Sequence, residues 1–576
     1  MNSEQKTCQN CKREFVIEPE DFAFYEKIKV PPPTWCPQCR MQRRMAWRNE
    51  RGLHQRSCDR CKKSVIGIYP SDSPFTVYCQ SCWWSDEAWD PSSFGRAYDP
   101  SRSFLEQFRE LQLKVPRQHT NNYSESTMVN SEYTNCSGED KNCYLAIATA
   151  YSEDCLYTHW VTSSKACVDC VYADKSEYCY DCLDIDQCYR VLYAQSCVGC
   201  RDSSFLFDCR NTSDSIACVG LRNKRYYIFN QQYSKEEYER KKKEFALHTK
   251  EGVQKLAREF YSSDIYKHHP RKSYHGQSNK NSTGDYLSNS EDSQSCFYAK
   301  NLRGCRYGFW QYDANDCYDC LAWGEQEWGY ENVTTGDKGR SLRFCNMCWG
   351  SVHDLEYCEL CFSSTEDCFG SIGLRGKKFC ILNKQYPEQE YRELIGTIKE
   401  DMRKRGEYGS PFPVSMSPFP YWDTVAQEHF PLKRDEVIQR GYYWREPEKR
   451  SYLVTLKSEQ IPASIHETED DILKATIACK HNGACDEQCV TAYKITPAEL
   501  RIYRQLTIPI PDLCYQCRHA SRVQKKNPLK LWHRRCMCEL ATHQHKGSCP
   551  DEFETSYAPD RPEIVYCESC YNSEVA

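Results

Sequence analysis

Leucine is scarce in this 576-residue chain, outnumbered by its 40 cysteines and 41 tyrosines, which stand beside 13 tryptophans. A large aliphatic core is therefore excluded, and something else must hold the chain together. No run approaches the ~18 apolar residues that cross a bilayer. The polar stretch Met1–Gln9 lacks the apolar centre of a secretory signal. A phosphate-binding loop is missing too, since Gly370–Lys377 has one residue too many before its final glycine. Neither His-Glu-x-x-His nor Gly-x-Ser-x-Gly occurs. With 27% charged and 40% hydrophobic residues the chain is not a disordered one. The expectation is a non-enzymatic cytoplasmic protein with no membrane partner, in which paired cysteines read as metal ligands before disulfides.

The first eight cysteines form four pairs of Cys-x-x-Cys type: Cys8/Cys11, Cys36/Cys39, Cys58/Cys61 and Cys79/Cys82. Two residues between the members of a pair let both sulfurs converge from one tight turn, and two turns complete a tetrahedral zinc site. The C-terminus repeats the plan. Cys11–Arg40 matches Cys489–Arg518 at 10 of 30 positions, and Tyr69–Cys82 matches Tyr557–Cys570 at 8 of 14. The spacing predicts about four zinc ions, the last two held by Cys485, Cys489, Cys514 and Cys517 and by Cys536, Cys538, Cys567 and Cys570. Cys479 competes with Cys485, and Cys549 with Cys538. Thr496-Pro-Ala-Glu499 is a capping box that predicts a helix over about 497–505. In the second ribbon, Val65–Tyr69 and Phe75–Tyr78 are expected to form a hairpin around Pro70–Pro74.

Cys8-x-x-Cys11-Lys-Arg-Glu-Phe15 … Phe22-x-x-Tyr25 … Pro33-x-x-Cys36-x-x-Cys39-Arg40 resembles the small probable zinc-ribbon family of treble-clef type. An aromatic four residues after the second cysteine and an arginine after the fourth carry the resemblance, and Tyr493 and Arg518 repeat both. The resemblance spans Cys8–Arg40 and its C-terminal copy, and implies a zinc-held fold without an activity. The whole chain is also similar to long multi-zinc-ribbon proteins of ultra-small bacteria.

Between the ends the remaining cysteines recur in regular series, Cys143, Cys155, Cys167 and Cys179, then Cys188, Cys197, Cys209 and Cys218. Many sit in phrases such as Ser176-Glu-Tyr-Cys179-Tyr-Asp-Cys182 and Asn315-Asp-Cys317-Tyr-Asp-Cys320. Regular spacing with short strands predicts two tandem parallel β-solenoid-like blocks. Gly220–Tyr238 matches Gly373–Tyr391 at 10 of 19 positions, and each segment precedes a charged helical cap. The fold class expected is multidomain and β-rich, with zinc-ribbon/treble-clef pairs flanking the blocks. A two-site module spans 1–82, a Trp-rich connector and helix 83–120, and the capped blocks 125–262 and 284–405. A Pro-rich linker with a short helical segment spans 406–478, and the second module 479–576. On a strand, i and i+3 point to opposite faces, so the central cysteines read as a buried ladder rather than ligands.

Each module holds a basic segment. Cys36–Lys63 carries nine Lys/Arg and two acids, and Cys514–Lys546 eight and one. Arg40, Arg43, Arg44, Arg48 and Arg56 surround Trp47; Arg518, Arg522, Lys525, Lys526, Lys530, Arg534 and Arg535 surround Trp532. Basic residues with aromatics suit phosphates and unstacked bases, so binding of RNA, or less favourably DNA, is the first expectation. A protein-interaction scaffold built on the Tyr- and acid-rich blocks is the alternative, and metal storage or redox chemistry by the central cysteines a third.

Overall fold

The computed structural model describes residues 2–123, 127–447, 451–543 and 545–575. The expected block boundary at 125 and linker residues 448–450 lie outside them. Two large, mostly parallel sheets dominate the multidomain α/β molecule, one of 11 strands and one of 12, with cysteine clusters at both ends of the chain. Among the described residues no helix is long and apolar enough to cross a membrane.

In the first sheet successive strands pair in parallel at a constant step: Val171 with Leu183, Leu183 with Gln195, Gln195 with Phe207. The second keeps the same step from Gly284–Cys296 to Leu321–Val333, then lengthens it by one residue between Val333 and Asn346. It begins at Gly276–Gln277, ahead of the expected 284. Each sheet ends in one antiparallel pair, Ile228 with Gln231 and Ile381 with Lys384. The helices Lys235–Glu244, Lys250–Ser262 and Glu388–Lys404 follow, as the charged segments imply.

Backbone conformation explains the composition. From Glu139 to Ser196 every third residue has positive φ, so a turn comes every three residues. The residue after each turn faces inward, and Cys143, Cys155, Cys167, Cys170, Cys179 and Cys182 all occupy such positions and are buried. From Cys143 to Cys209 these inward positions hold mostly cysteine, alanine, serine and valine, while in the second sheet Leu287, Leu302, Leu342, Leu355 and Leu374 join the cysteines. The premise that i and i+3 oppose each other is thus corrected, because a turn intervenes between them. Each thiol donates instead to backbone carbonyls two residues back and nine ahead, as Cys167 does to Lys165 at 3.7 Å and to Ser176 at 3.3 Å. Burial pushes the Cys218 and Cys296 thiols above their usual range, which favours the protonated donor.

Two local expectations change. The hairpin of the second ribbon is His54–Ser57 with Ser64–Gly67, while Val77–Tyr78 pairs in parallel with Arg117–Gln118. The Pro411–Pro420 segment is no extended linker: Phe412, Met416 and Phe419 are buried, with Phe412 against Trp47 and Phe108 and Phe419 against Tyr69. The 497–505 helix forms as Pro497–Leu506, its Thr496/Glu499 capping box intact.

Candidate metal centres and the docked basic helices

Four groups of four cysteines gather their sulfurs within 4.8 Å: Cys8/Cys11/Cys36/Cys39, Cys58/Cys61/Cys79/Cys82, Cys479/Cys489/Cys514/Cys517 and Cys536/Cys549/Cys567/Cys570. Each is fit to hold a metal ion. The local plan is the same four times. The third cysteine donates its N–H to the sulfur of the first: Cys36 to Cys8 at 3.2 Å, Cys79 to Cys58 at 3.2 Å, Cys514 to Cys479 at 3.3 Å and Cys567 to Cys536 at 3.2 Å. A helix then starts at once, as Pro37–Met45, Gln80–Trp84, Tyr515–Val523 and Glu568–Val575. The fourth cysteine therefore lies in a first turn, where the helix dipole favours a thiolate.

This plan places the rival ligands. Cys479, not Cys485, stands where Cys8 stands in the first copy, and Cys485 lies beside the group, 3.8 Å from Cys517. Cys549, not Cys538, completes the last group. Cys538 instead joins His543, His545 and Cys570 in a further candidate group, with 3.1 Å from its sulfur to His543 Nδ1. Cys549 follows Cys536 at a distance that the Cys-x-x-Cys pattern did not anticipate.

The basic segments are placed differently from the expectation. Arg40, Arg43, Arg44, Trp47, Arg48 and Arg56 are buried, as are Arg518 and Arg522. Arg40 and Arg44 share the buried Asp319 at 2.9 and 2.8 Å, and Arg44 and Arg43 reach Glu331 at 3.1 and 2.7 Å. Arg518 and Arg522 share Asp169 at 2.8 and 2.7 Å, and Arg522 reaches Asp181 at 2.8 Å. Arg48 pairs with Glu50 and Thr334, and Arg56 with Asp59 and Pro70. These arginines are ion-paired inside the protein and closed to phosphates. Lys526 is half-buried, its ammonium 4.2 Å from the Tyr172 ring. Lys525 and Arg535 are exposed, while Lys530, Trp532 and Arg534 are half-exposed.

The two dockings are copies, and they cross. Asp319 and Glu331 directly follow the paired Tyr318 and Tyr330, and Asp169 and Asp181 the paired Val168 and Tyr180. Each helix therefore grips carboxylates on consecutive turns of a sheet. Arg40 lies over Tyr307 and Arg518 over Tyr157, both at 5.0 Å. Tyr307 donates to Asp21 at 3.3 Å and Tyr157 to Glu499 at 2.9 Å. The N-terminal module thus docks on the second sheet and the C-terminal module on the first. The Val77–Tyr78 strand pairs ahead of the first sheet, and Val565–Tyr566 with Arg271–Lys272 ahead of the second. Each module therefore bridges both halves. Trp160 and Trp310, at matching places in the two sheets, meet with ring centroids 3.6 Å apart. A sequence shows charge but not its partner, and acids recurring in step with the strands were the available signal.

No protein-family model matches this chain, and no curated protein matches it either.

Proposed function

We propose that this protein is a non-enzymatic binding scaffold in which zinc ions clasp two β-solenoid blocks, and that the cleft between the blocks takes cationic side chains of a partner protein. Supporting zinc, four thiolates at a Zn–S distance of about 2.3 Å stand about 3.8 Å apart. The corresponding distances here are 3.7 Å for Cys11–Cys36, 3.8 Å for Cys61–Cys79, 3.9 Å for Cys489–Cys514 and 4.0 Å for Cys549–Cys567. Closed four-cysteine sites leave no position for water and act structurally. The solenoid reading is supported by the regular parallel step, 12 residues through the first block and mostly 12 or 13 in the second, and by the inward cysteine rows.

The observation that carries the binding role is a cleft of about 510 Å³ lined by Tyr151, Trp310, Tyr312, Trp323 and Trp349 together with Glu139, Glu325 and Asp337. Tyr151 is 70% exposed. Aromatic faces and carboxylates both attract guanidinium and ammonium groups, each cation–π contact contributing about 0.5–2 kcal/mol. Among the described residues the one cation lining the cleft, Arg48, is already paired with Glu50.

Tryptophan fluorescence titrated with an Arg/Lys-rich peptide tests this reading. Saturable quenching that weakens with salt, and is lost in Trp323→Ala with Asp337→Asn, is the expected result. No peptide binding, with single-stranded RNA binding removed by Lys530→Ala and Arg535→Ala, would overturn it in favour of phosphate contact by the second basic segment.

A further inference from the structure

Where the two modules, the first sheet and the 425–429 helix meet, five titratable side chains lie together and none belongs to a cysteine group. His159 Nε2 is 2.6 Å from Glu50 Oε2, and His159 Nδ1 is 4.0 Å from Glu428 Oε2. His519 Nε2 is 2.9 Å from the same Glu428 oxygen, and His429 Nε2 is 3.8 Å from the other. The His159 and His519 rings lie 5.2 Å apart. His159 is 2% and His519 5% exposed, and His159 Nδ1, the atom facing Glu428, is buried without a hydrogen-bond partner. An unpaired polar group in such a place costs free energy, so packing does not account for it.

The internal duplication sharpens the point. Setting Cys39 against Cys517 matches His519 with Met41, and setting Asp169 against Asp319 matches His159 with Phe309. Met41 and Phe309 are 3% and 1% exposed and belong to the apolar core. The same two places are thus filled by hydrophobes in one half and by imidazoles in the other.

We propose that His159, Glu428 and His519 form a binding site for a divalent first-row transition-metal ion, with Glu50 the carboxylate that orients His159. Bonds of about 2.0–2.2 Å place ligand atoms roughly 2.9–4.2 Å apart from right-angle to opposed arrangements, and 2.9 and 4.0 Å both fall in that range. Two imidazoles and one carboxylate with positions left open is a recurrent set for such ions. A ligating histidine usually donates its other N–H to a carboxylate, as His159 does to Glu50. The open side faces a cavity of about 230 Å³ lined by Gln427, Glu487 and Gln516, enough for water or a small ligand on the metal. Of the neighbouring cations, Arg48 pairs with the outer carboxylate Glu50 and none pairs with Glu428: Arg51 bonds Gln516, and Lys526 lies over the Tyr172 and Tyr298 rings.

Manganese(II) is the probe of choice, because thiolate sites bind it poorly whereas imidazole and carboxylate accept it. Electron paramagnetic resonance of the full chain, loaded with only the four equivalents of zinc that the cysteine groups take, should count one bound Mn²⁺. Two variants should lose it: His159→Phe with His519→Met, which installs the residues of the other half, and Glu428→Gln, which preserves shape. Glu50→Gln should weaken binding about 10- to 100-fold. Wild-type protein that binds no Mn²⁺, or equal Mn²⁺ binding in wild type and either folded variant, overturns the proposal. The cysteine-held zinc content should be unchanged throughout, which separates this site from the clasps.

Discussion

Replacing Asp319 with alanine isolates the crossed docking. Its carboxylate is fully buried and takes Arg40 Nη2 at 2.9 Å and Arg44 Nη1 at 2.8 Å, with those guanidiniums 1% and 3% exposed. Without it, Arg40, Arg43 and Arg44 face Glu331 as the remaining acid of this group. Breaking a buried pair from one side costs about 3–5 kcal/mol, because the surviving charge stays desolvated. At about 1.4 kcal/mol per tenfold, undocking of the N-terminal module becomes roughly 10²- to 4 × 10³-fold more frequent. Native-state hydrogen exchange of the Pro37–Met45 amides should rise by that factor, with faster loss of metal from Cys8/Cys11/Cys36/Cys39 to a chelator. Asp316→Ala is the control: Asp316 pairs with Lys27 at 3.1 Å with side chains 43% and 53% exposed, a contact of about 0–1 kcal/mol. Asp169→Ala should reproduce the large effect in the Tyr515–Val523 helix and leave Pro37–Met45 protected. Equal exchange in Asp319→Ala and Asp316→Ala would refute the reasoning.

The remaining predictions concern metal content, the cysteine rows and pH. Cys549→Ser and Cys479→Ser should each remove about one equivalent of zinc, measured by inductively coupled plasma mass spectrometry, whereas Cys485→Ser should leave that group loaded. Changing Cys167, Cys170, Cys179 and Cys182 together to alanine should lower the melting temperature without changing zinc content; loss of metal would mean that the central rows ligate. Asp140 is 1% exposed and burial raises it to about 7, while Ser152 donates to one of its oxygens at 3.0 Å. The unfolded carboxyl ionises near 3.9, so the folded state holds more protons between about pH 4 and 7. Its contribution to stability therefore falls as pH rises through that window and levels off above it. Asp140→Asn should raise the melting temperature at pH 8, by the equivalent of about 1–3 kcal/mol, and do little at pH 4.

Local chemistry was legible where it depends on spacing. Cys8/Cys11 and Cys36/Cys39 each need one tight turn, and the Thr496/Glu499 box writes its own helix start, so these followed from neighbours in the chain. The parallel step of the sheets was equally legible, since the regular recurrence of Cys143, Cys155, Cys167 and Cys179 reports the length of one turn of backbone. The three-residue side was not, because a left-handed residue such as Asp169 or Tyr178 is stabilised by hydrogen bonds to adjacent turns rather than by its own sequence.

Partner choice was invisible for the same kind of reason. The sequence by itself determined that cysteine-held centres stand at both ends and that small side chains fill the repeats, because both are set by short-range geometry and side-chain size. Only the tertiary structure decided that Arg40 and Arg44 meet Asp319 rather than a phosphate. It alone gathered Cys479 and Cys549 with their neighbouring cysteines, and it brought His159, Glu428 and His519 together from three distant segments. A charge or a lone pair acquires its meaning from what lies within a few ångströms, and that is fixed only when the chain has closed on itself.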